Sequence, residues 1–234
     1  MRKRSSWITY FSVGERLLWL GSVGGILAAF FLLGGQGIWT VVASLLGVTA
    51  LIFNAKGNPI GQALMIVFSL FYGWISYTFA YYGEMLTYLG MSMPMAVLAL
   101  ISWLRHPHAG RKSEVQVAHV SRRECGWMWV LTIVVTGLFY FLLKALGTAN
   151  LLPSTVSVTI SFLAVYLTFR RSPYYAVAYA ANDVVLMVLW TLATIEQPQY
   201  LSVTVCFAAF LVNDIYGFIN WRRMGARQAA EAAE

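Results

Sequence analysis

Charged residues are scarce in this chain. Only 9 Asp and Glu and 16 Lys and Arg occur in 234 residues, so charge makes up 11% of the sequence against 59% hydrophobic residues. A soluble domain usually carries about 25% charged residues. With a mean hydropathy of +0.68, the chain falls outside the range of ordinary water-soluble globules. Enzyme motifs are missing as well. No H-E-x-x-H, no G-x-S-x-G and no P-loop sequence is present, which leaves a membrane-embedded enzyme without nucleophile, metal set or cofactor motif. The three His fall at 106, 108 and 119 in one hydrophilic stretch and read as a solvated loop, so neither a metal nor a cofactor is expected. The two Cys are far apart across an apolar layer, Cys125 at the edge of one run and Cys206 within another, and no disulfide is expected between them.

Long apolar runs take the place of charge. With 9 Trp, 13 Tyr and 14 Phe, the chain contains eight runs near the roughly 20 residues that cross a bilayer core of roughly 30 Å. They span about 17–34, 38–55, 61–81, 85–104, 127–146, 153–169, 174–194 and 200–221. None shows a sustained period-2 alternation, so a helical bundle is expected and a barrel is not. Breakers and charges collect between the runs, in "NAKGNP", "HPHAGRKSE", "FRRSP" and "EQPQ". The fold class is therefore an all-α membrane protein with eight transmembrane helices.

Basic residues fix an expected orientation. With the N-terminus cytoplasmic, eight crossings place fifteen of the sixteen Lys and Arg inside, from Arg2, Lys3 and Arg4 through Lys56 and Arg105 to Arg222, Arg223 and Arg227. Only Lys144 lies outside. The +7 net charge then reflects topology and contact with anionic headgroups. It gives no basic face for nucleic acid. A signal peptide is the competing reading of the N-terminus, but Glu15 and Arg16 interrupt it and no small-residue cleavage site follows. Gly21 and Gly25 mark close helix packing there. The expected location is a bacterial inner membrane with both termini cytoplasmic.

The chain also repeats itself. "FNAKGNP" and "FRRSP" are basic turns whose Pro59 and Pro173 lie 114 residues apart, and "ISWLRH" and "INWRRM" close two apolar runs with Trp103 and Trp221 118 apart. Three helices, a linker helix and three further helices follow, as parallel repeats that place a solute site between the halves. The first helix is an addition in front. The implied boundaries are 1–37 for the N-terminal segment and extra helix, 38–104 for the first repeat, 105–150 for loop and linker helix, 151–224 for the second repeat and 225–234 for a tail.

Polar residues inside the runs point to function. At 1.5 Å per residue, Asp214 lies roughly 12 Å and Asp183 roughly 18 Å inside the inner charged boundary. An Asp at such depth costs about 2.5–3.5 kcal/mol and usually faces a bundle interior or aqueous cavity. Helical spacing puts Asn213, Tyr216 and Asn220 on one stripe and Asp214, Gly217 and Trp221 on the next, while Tyr179, Asp183, Met187 and Trp190 share a face. Asn182 precedes Asp183. In the first repeat Ser69, Tyr72 and Ser76 align, with Trp74 and Tyr77 nearby. The Asn residues read either as solute contacts or as interhelical hydrogen-bonding groups, and the first-repeat aromatics as contacts or packing. Carboxylates, amides and aromatic planes together suit a flat, polar, cationic or sugar-bearing solute. Glu84 is a candidate for an outer gate or a solvated loop carboxylate.

At these residues the sequence resembles the PnuC family of vitamin-precursor transporters. The resemblance runs from about 40 to 224 through "YYGEML" (81–86), "MPM" (93–95), "ANDVVLMVLW" (181–190) and above all "LVNDIYGFINW" (211–221). It implies a SWEET-like fold of three plus one plus three helices and a homo-oligomer, a trimer. It also implies nicotinamide riboside uptake by facilitated diffusion, drawn inward by phosphorylation of the solute and feeding NAD biosynthesis. Ala96 and Thr87 or Tyr88 depart from the family's pattern. Absence of intramembrane His and Lys agrees with transport that needs no proton relay. Carriers of thiamine or riboflavin are the rivals on the same scaffold. A sensor would bring an output domain, and no loop is long enough for one.

Overall fold

The computed structural model describes residues 10–34, 37–78, 82–148 and 150–233. Arg2, Lys3 and Arg4 of the orientation argument lie outside the described residues, as does Tyr81 of "YYGEML". Among the described residues, eight helices are long and apolar enough to cross a membrane. In order they are α1 (Val13–Leu33), α2 (Ile38–Ala55), α3 (Ile60–Thr78), α4 (Tyr82–Leu86) continuing through a π-helical turn (Thr87–Ser92) into α5 (Met93–Arg105), α6 (Arg122–Ala145), α7 (Leu151–Phe169), α8 (Tyr175–Glu196) and α9 (Leu201–Glu231).

Local chemistry explains most boundaries. Ser12 and Glu15 form a capping box that starts α1, and Ser121 with Glu124 does the same for α6. That box starts α6 one turn before its apolar run. The α2–α3 and α7–α8 connections share one tight turn, with Gly57 at φ 63° and Arg171 at φ 57°. Both residues are 114 positions apart, and Pro59 and Pro173 follow them. The stretch from 105 to 126 contains a small antiparallel hairpin, β1 (Pro107–His108) and β2 (Arg111–Val115). α9 runs ten residues beyond its expected end at 221, because "RRMGARQAAEAAE" is rich in good helix formers although polar.

The α2–α5 and α7–α9 halves of the chain meet at two tryptophans. Trp103 and Trp221 are fully buried with ring centroids 5.3 Å apart. Each indole reaches across to the other half: Trp103 Nε1 donates to Thr168 O at 2.9 Å and Trp221 Nε1 donates to Asn54 O at 2.7 Å. Asn54 and Thr168 are themselves 114 apart, so the exchange is reciprocal. The segment after β2 ties both tight turns, with Val115 N donating to Gly57 O at 2.9 Å and Ala118 N to Arg171 O at 3.0 Å. Gln228 of α9 holds this segment through Val117 N and Val115 O.

Candidate functional site

A cavity of about 160 Å³ lies between the halves, walled by α2, α3, the α4–α5 span, α7, α8 and α9. Four of the residues expected from sequence line it: Glu84, Asn182, Asp183 and Asp214. The α8 and α9 carboxyls of Asp183 and Asp214 touch each other. Both side chains are almost wholly buried, and Asp183 Oδ2 has no hydrogen-bond partner among the described residues. A buried carboxylate oxygen without a donor is costly, so this atom is the least satisfied acceptor of the pair. Asn182 Oδ1 accepts from Ser157 Oγ at 2.8 Å, which leaves its amide N–H groups for a ligand. Glu84 Oε2 accepts from Ser76 Oγ at 3.4 Å.

The other expected residues stand elsewhere. The stripe Asn213, Tyr216 and Asn220 turns toward α1 and α2. Asn213 Nδ2 donates to Ser22 Oγ at 2.8 Å, Tyr216 OH to Glu15 Oε1 at 2.8 Å and Asn220 Nδ2 to Ala55 O at 2.7 Å. Glu15, only 3% exposed, also receives Lys56 Nζ at 2.8 Å. The bonds to Ser22 and Glu15 fasten α1 to α9 and to the end of α2, and the bond to Ala55 O ties α9 to α2. Trp221 closes the basic end of the bundle against Trp103 and Tyr175. Trp190 packs on Tyr200, 5.2 Å between centroids. Ser69 is fully buried, with its Oγ unpartnered among the described residues. Tyr72 packs on Phe68 and Tyr88, while Trp74 and Tyr77 are exposed at 66% and 54%.

Over residues 37–223 the chain matches the family described as nicotinamide mononucleotide transporter. The chain belongs to that family. Among its relatives, the nicotinamide riboside transporter PnuC of Neisseria mucosa (strain ATCC 25996 / DSM 4631 / NCTC 10774 / M26) is 25% identical over 220 residues, 92% of this chain and 83% of the relative. The protein of the same description from Haemophilus influenzae (strain ATCC 51907 / DSM 11121 / KW20 / Rd) is 20% identical over 189 residues, 80% of each. A solved structure, the crystal structure of the vitamin B3 transporter PnuC, superposes with a TM-score of 0.80 at 23% identity, covering 94% of this chain and 95% of that one. The fold is shared along nearly the whole length. The chain is thus a multi-pass membrane transporter and not an enzyme.

Several cavity residues of this family member were not singled out from sequence. Ser154, Ser157 and Ser161 of α7 all line the wall. Their i, i+3, i+7 spacing within an apolar run was the legible signal. Asn54 and Gln62 sit at the basic end, with Gln62 Nε2 donating to Asn54 Oδ1 at 2.8 Å. Their place beside a turn hid them. Thr87 and Tyr88, marked in the sequence only as departures from the family's pattern, reach the cavity with Ser92 from the π turn, a feature that recurs at functional sites and has no sequence signature here. Among the described residues no cluster of His, Cys, Asp and Glu suits a metal, and both Cys are free.

Proposed function

We propose that this chain carries nicotinamide riboside across a bacterial cytoplasmic membrane by alternating access, without a coupling ion, with phosphorylation of the solute inside maintaining the gradient. The observation that carries the reading is the unpartnered Asp183 oxygen beside Asp214 in a cavity between the two halves. Nicotinamide riboside is a pyridinium cation on a ribose. Carboxyls suit the ring charge, the serines of α7 and the Asn182 amide suit the sugar hydroxyls, and Tyr88, Tyr179, Phe207 and Phe210 offer aromatic walls. The names of both relatives support the same solute.

Within this reading Asp183, Asp214, Asn182 and Glu84 touch the solute, Glu84 from the outer side. Trp221 closes the inner exit, and Asn213, Tyr216 and Asn220 hold α9 in place behind the site. Basic residues gather at the Trp103 and Trp221 end, which supports cytoplasmic termini. The apolar exposed face of α6, with Trp127, Ile133, Val134 and Phe141, suits lipid and the contacts of a homotrimer. Thiamine, also a cation, is the second reading, and the carboxyls favour it over neutral riboflavin. Calorimetry of the purified protein with the three vitamins tests the assignment: selective binding of nicotinamide riboside is expected, and selective binding of either other vitamin overturns it.

A further inference from the structure

A second cavity, of about 350 Å³, opens at the basic end, separate from the site between the halves. It lies between the α2–α3 turn, β2 and the polar extension of α9. Lys56, Arg223 and Arg227 line it, opposed by the single carboxylate of Glu114. The lining therefore carries three positive charges and one negative.

The cations differ in how they are held. Lys56 Nζ reaches Glu15, which is outside the cavity lining, and Arg227 pairs with Glu114 and Glu231. Arg223 has no hydrogen bond or ion pair from its guanidinium to any described residue. Ser113 supplies a hydroxyl at the same cavity, and Asn220, which spends one amide hydrogen on Ala55 O, keeps another. A guanidinium fork, an ammonium and neutral donors around one concavity match the charge and geometry of a phosphate group, which takes several charge-assisted hydrogen bonds at once. A carboxylate ligand would use fewer of these donors. With Lys56 and Arg227 paired to carboxylates, Arg223 carries the positive charge left open to an anion.

We propose that this cavity is a binding site for a phosphate group, presented either by a soluble phosphate or by an anionic lipid headgroup, with Arg223 as its principal contact. The site shares Lys56 with the bonds that fasten α1 and Asn220 with those that fasten α9, so occupancy stiffens the junction of α1, α2 and α9. Stabilisation is the readout.

The test uses the full chain in phosphatidylcholine nanodiscs, with thermal unfolding followed at constant ionic strength. One arm titrates inorganic phosphate against chloride; the other replaces part of the phosphatidylcholine with phosphatidylglycerol. At about ten times the dissociation constant, a rise in Tm of about 3–6 °C is expected in at least one arm. The rise should vanish in Arg223→Gln and persist in Arg222→Gln, whose side chain lies outside the cavity. A response to phosphate alone assigns the site to a soluble anion, and a response to phosphatidylglycerol alone assigns it to lipid. No rise in either arm overturns the proposal, as does an equal loss in both Arg variants, which would mean a general charge effect. Ser113→Ala provides a second check, since it removes a donor without altering charge and should reduce the response.

Discussion

Asp183 shows how one side chain acquires a role from its surroundings. Its Oδ2 is buried without a donor among the described residues while Asp214 touches the same carboxyl group. Replacing it with Asn keeps the shape and removes one acid of the touching pair. Because hydrogen bonds to charged groups contribute about 1.5–3 kcal/mol, Asp183→Asn should weaken binding of nicotinamide riboside about 10- to 100-fold by calorimetry at unchanged expression. Unchanged affinity would remove Asp183 from the site. Two glycines make a sharper contrast at the same scale. A Cβ on Gly61 would fall 2.1 Å from Asn54 Oδ1 and 2.7 Å from Asn54 N, whereas one on Gly217 would meet nothing nearer than Tyr175 OH at 3.5 Å. Gly61→Ala should therefore cost about 1–3 kcal/mol by overpacking, read as a lowered Tm, while Gly217→Ala leaves Tm level or slightly raised through helix propensity.

Elements carry the next set of consequences. The π turn between α4 and α5 inserts a residue into the helical ladder and thereby sets the rotation of Glu84, Thr87 and Tyr88 toward the cavity. Deleting Gly90, whose Cβ position is open space, should restore an α-helical ladder and turn those side chains by about 100°. The expected result is a protein with a normal size-exclusion profile and no measurable solute binding; retained affinity would show that the π turn does not position them. The segment after β2 behaves as a strap, because its backbone bonds to Gly57 O and Arg171 O hold both tight turns and Gln228 holds the strap. Gln228→Ala should raise amide exchange across 114–118 at least several-fold, with the exchange of α7 and α8 unaffected.

For the whole molecule, the reciprocal indole bonds are the decisive contact. Each half closes on a carbonyl of the other, so Trp103 and Trp221 act as one unit across the pseudosymmetric junction. Trp103→Phe or Trp221→Phe removes the indole hydrogen bond from a carbonyl that Arg171 N or Gly57 N still reaches, at a cost of about 0.5–1.5 kcal/mol each. A double-mutant cycle on thermal stability should return a coupling of about 0.5–1.5 kcal/mol between them; strict additivity would mean that the two halves close independently. Much of this scale was legible in advance. The turns at Pro59 and Pro173 and the tryptophans at 103 and 221 were singled out from sequence, and the structure gives the two turns one backbone form and the two tryptophans a shared contact. Less could be read of the site. The stripe Asn213, Tyr216 and Asn220 looked like a solute face, yet Ser22, Glu15 and Ala55 O take it up, and nothing in α9 itself says that α1 packs there.

That division has a physical cause. Length and apolarity of a segment are local quantities, and crossing a bilayer depends on little else, so the sequence alone determined the solvent, the eight spans and their breaks. A helix, however, presents several stripes about 100° apart, each with its own polar residues. Which stripe meets the cavity, which meets a neighbouring helix and which meets lipid depends on packing between segments up to 201 positions apart, as Tyr216 and Glu15 are. Only the tertiary structure decided that Asp183 and Asp214 meet at the cavity wall while Asn213 and Tyr216 hold α1.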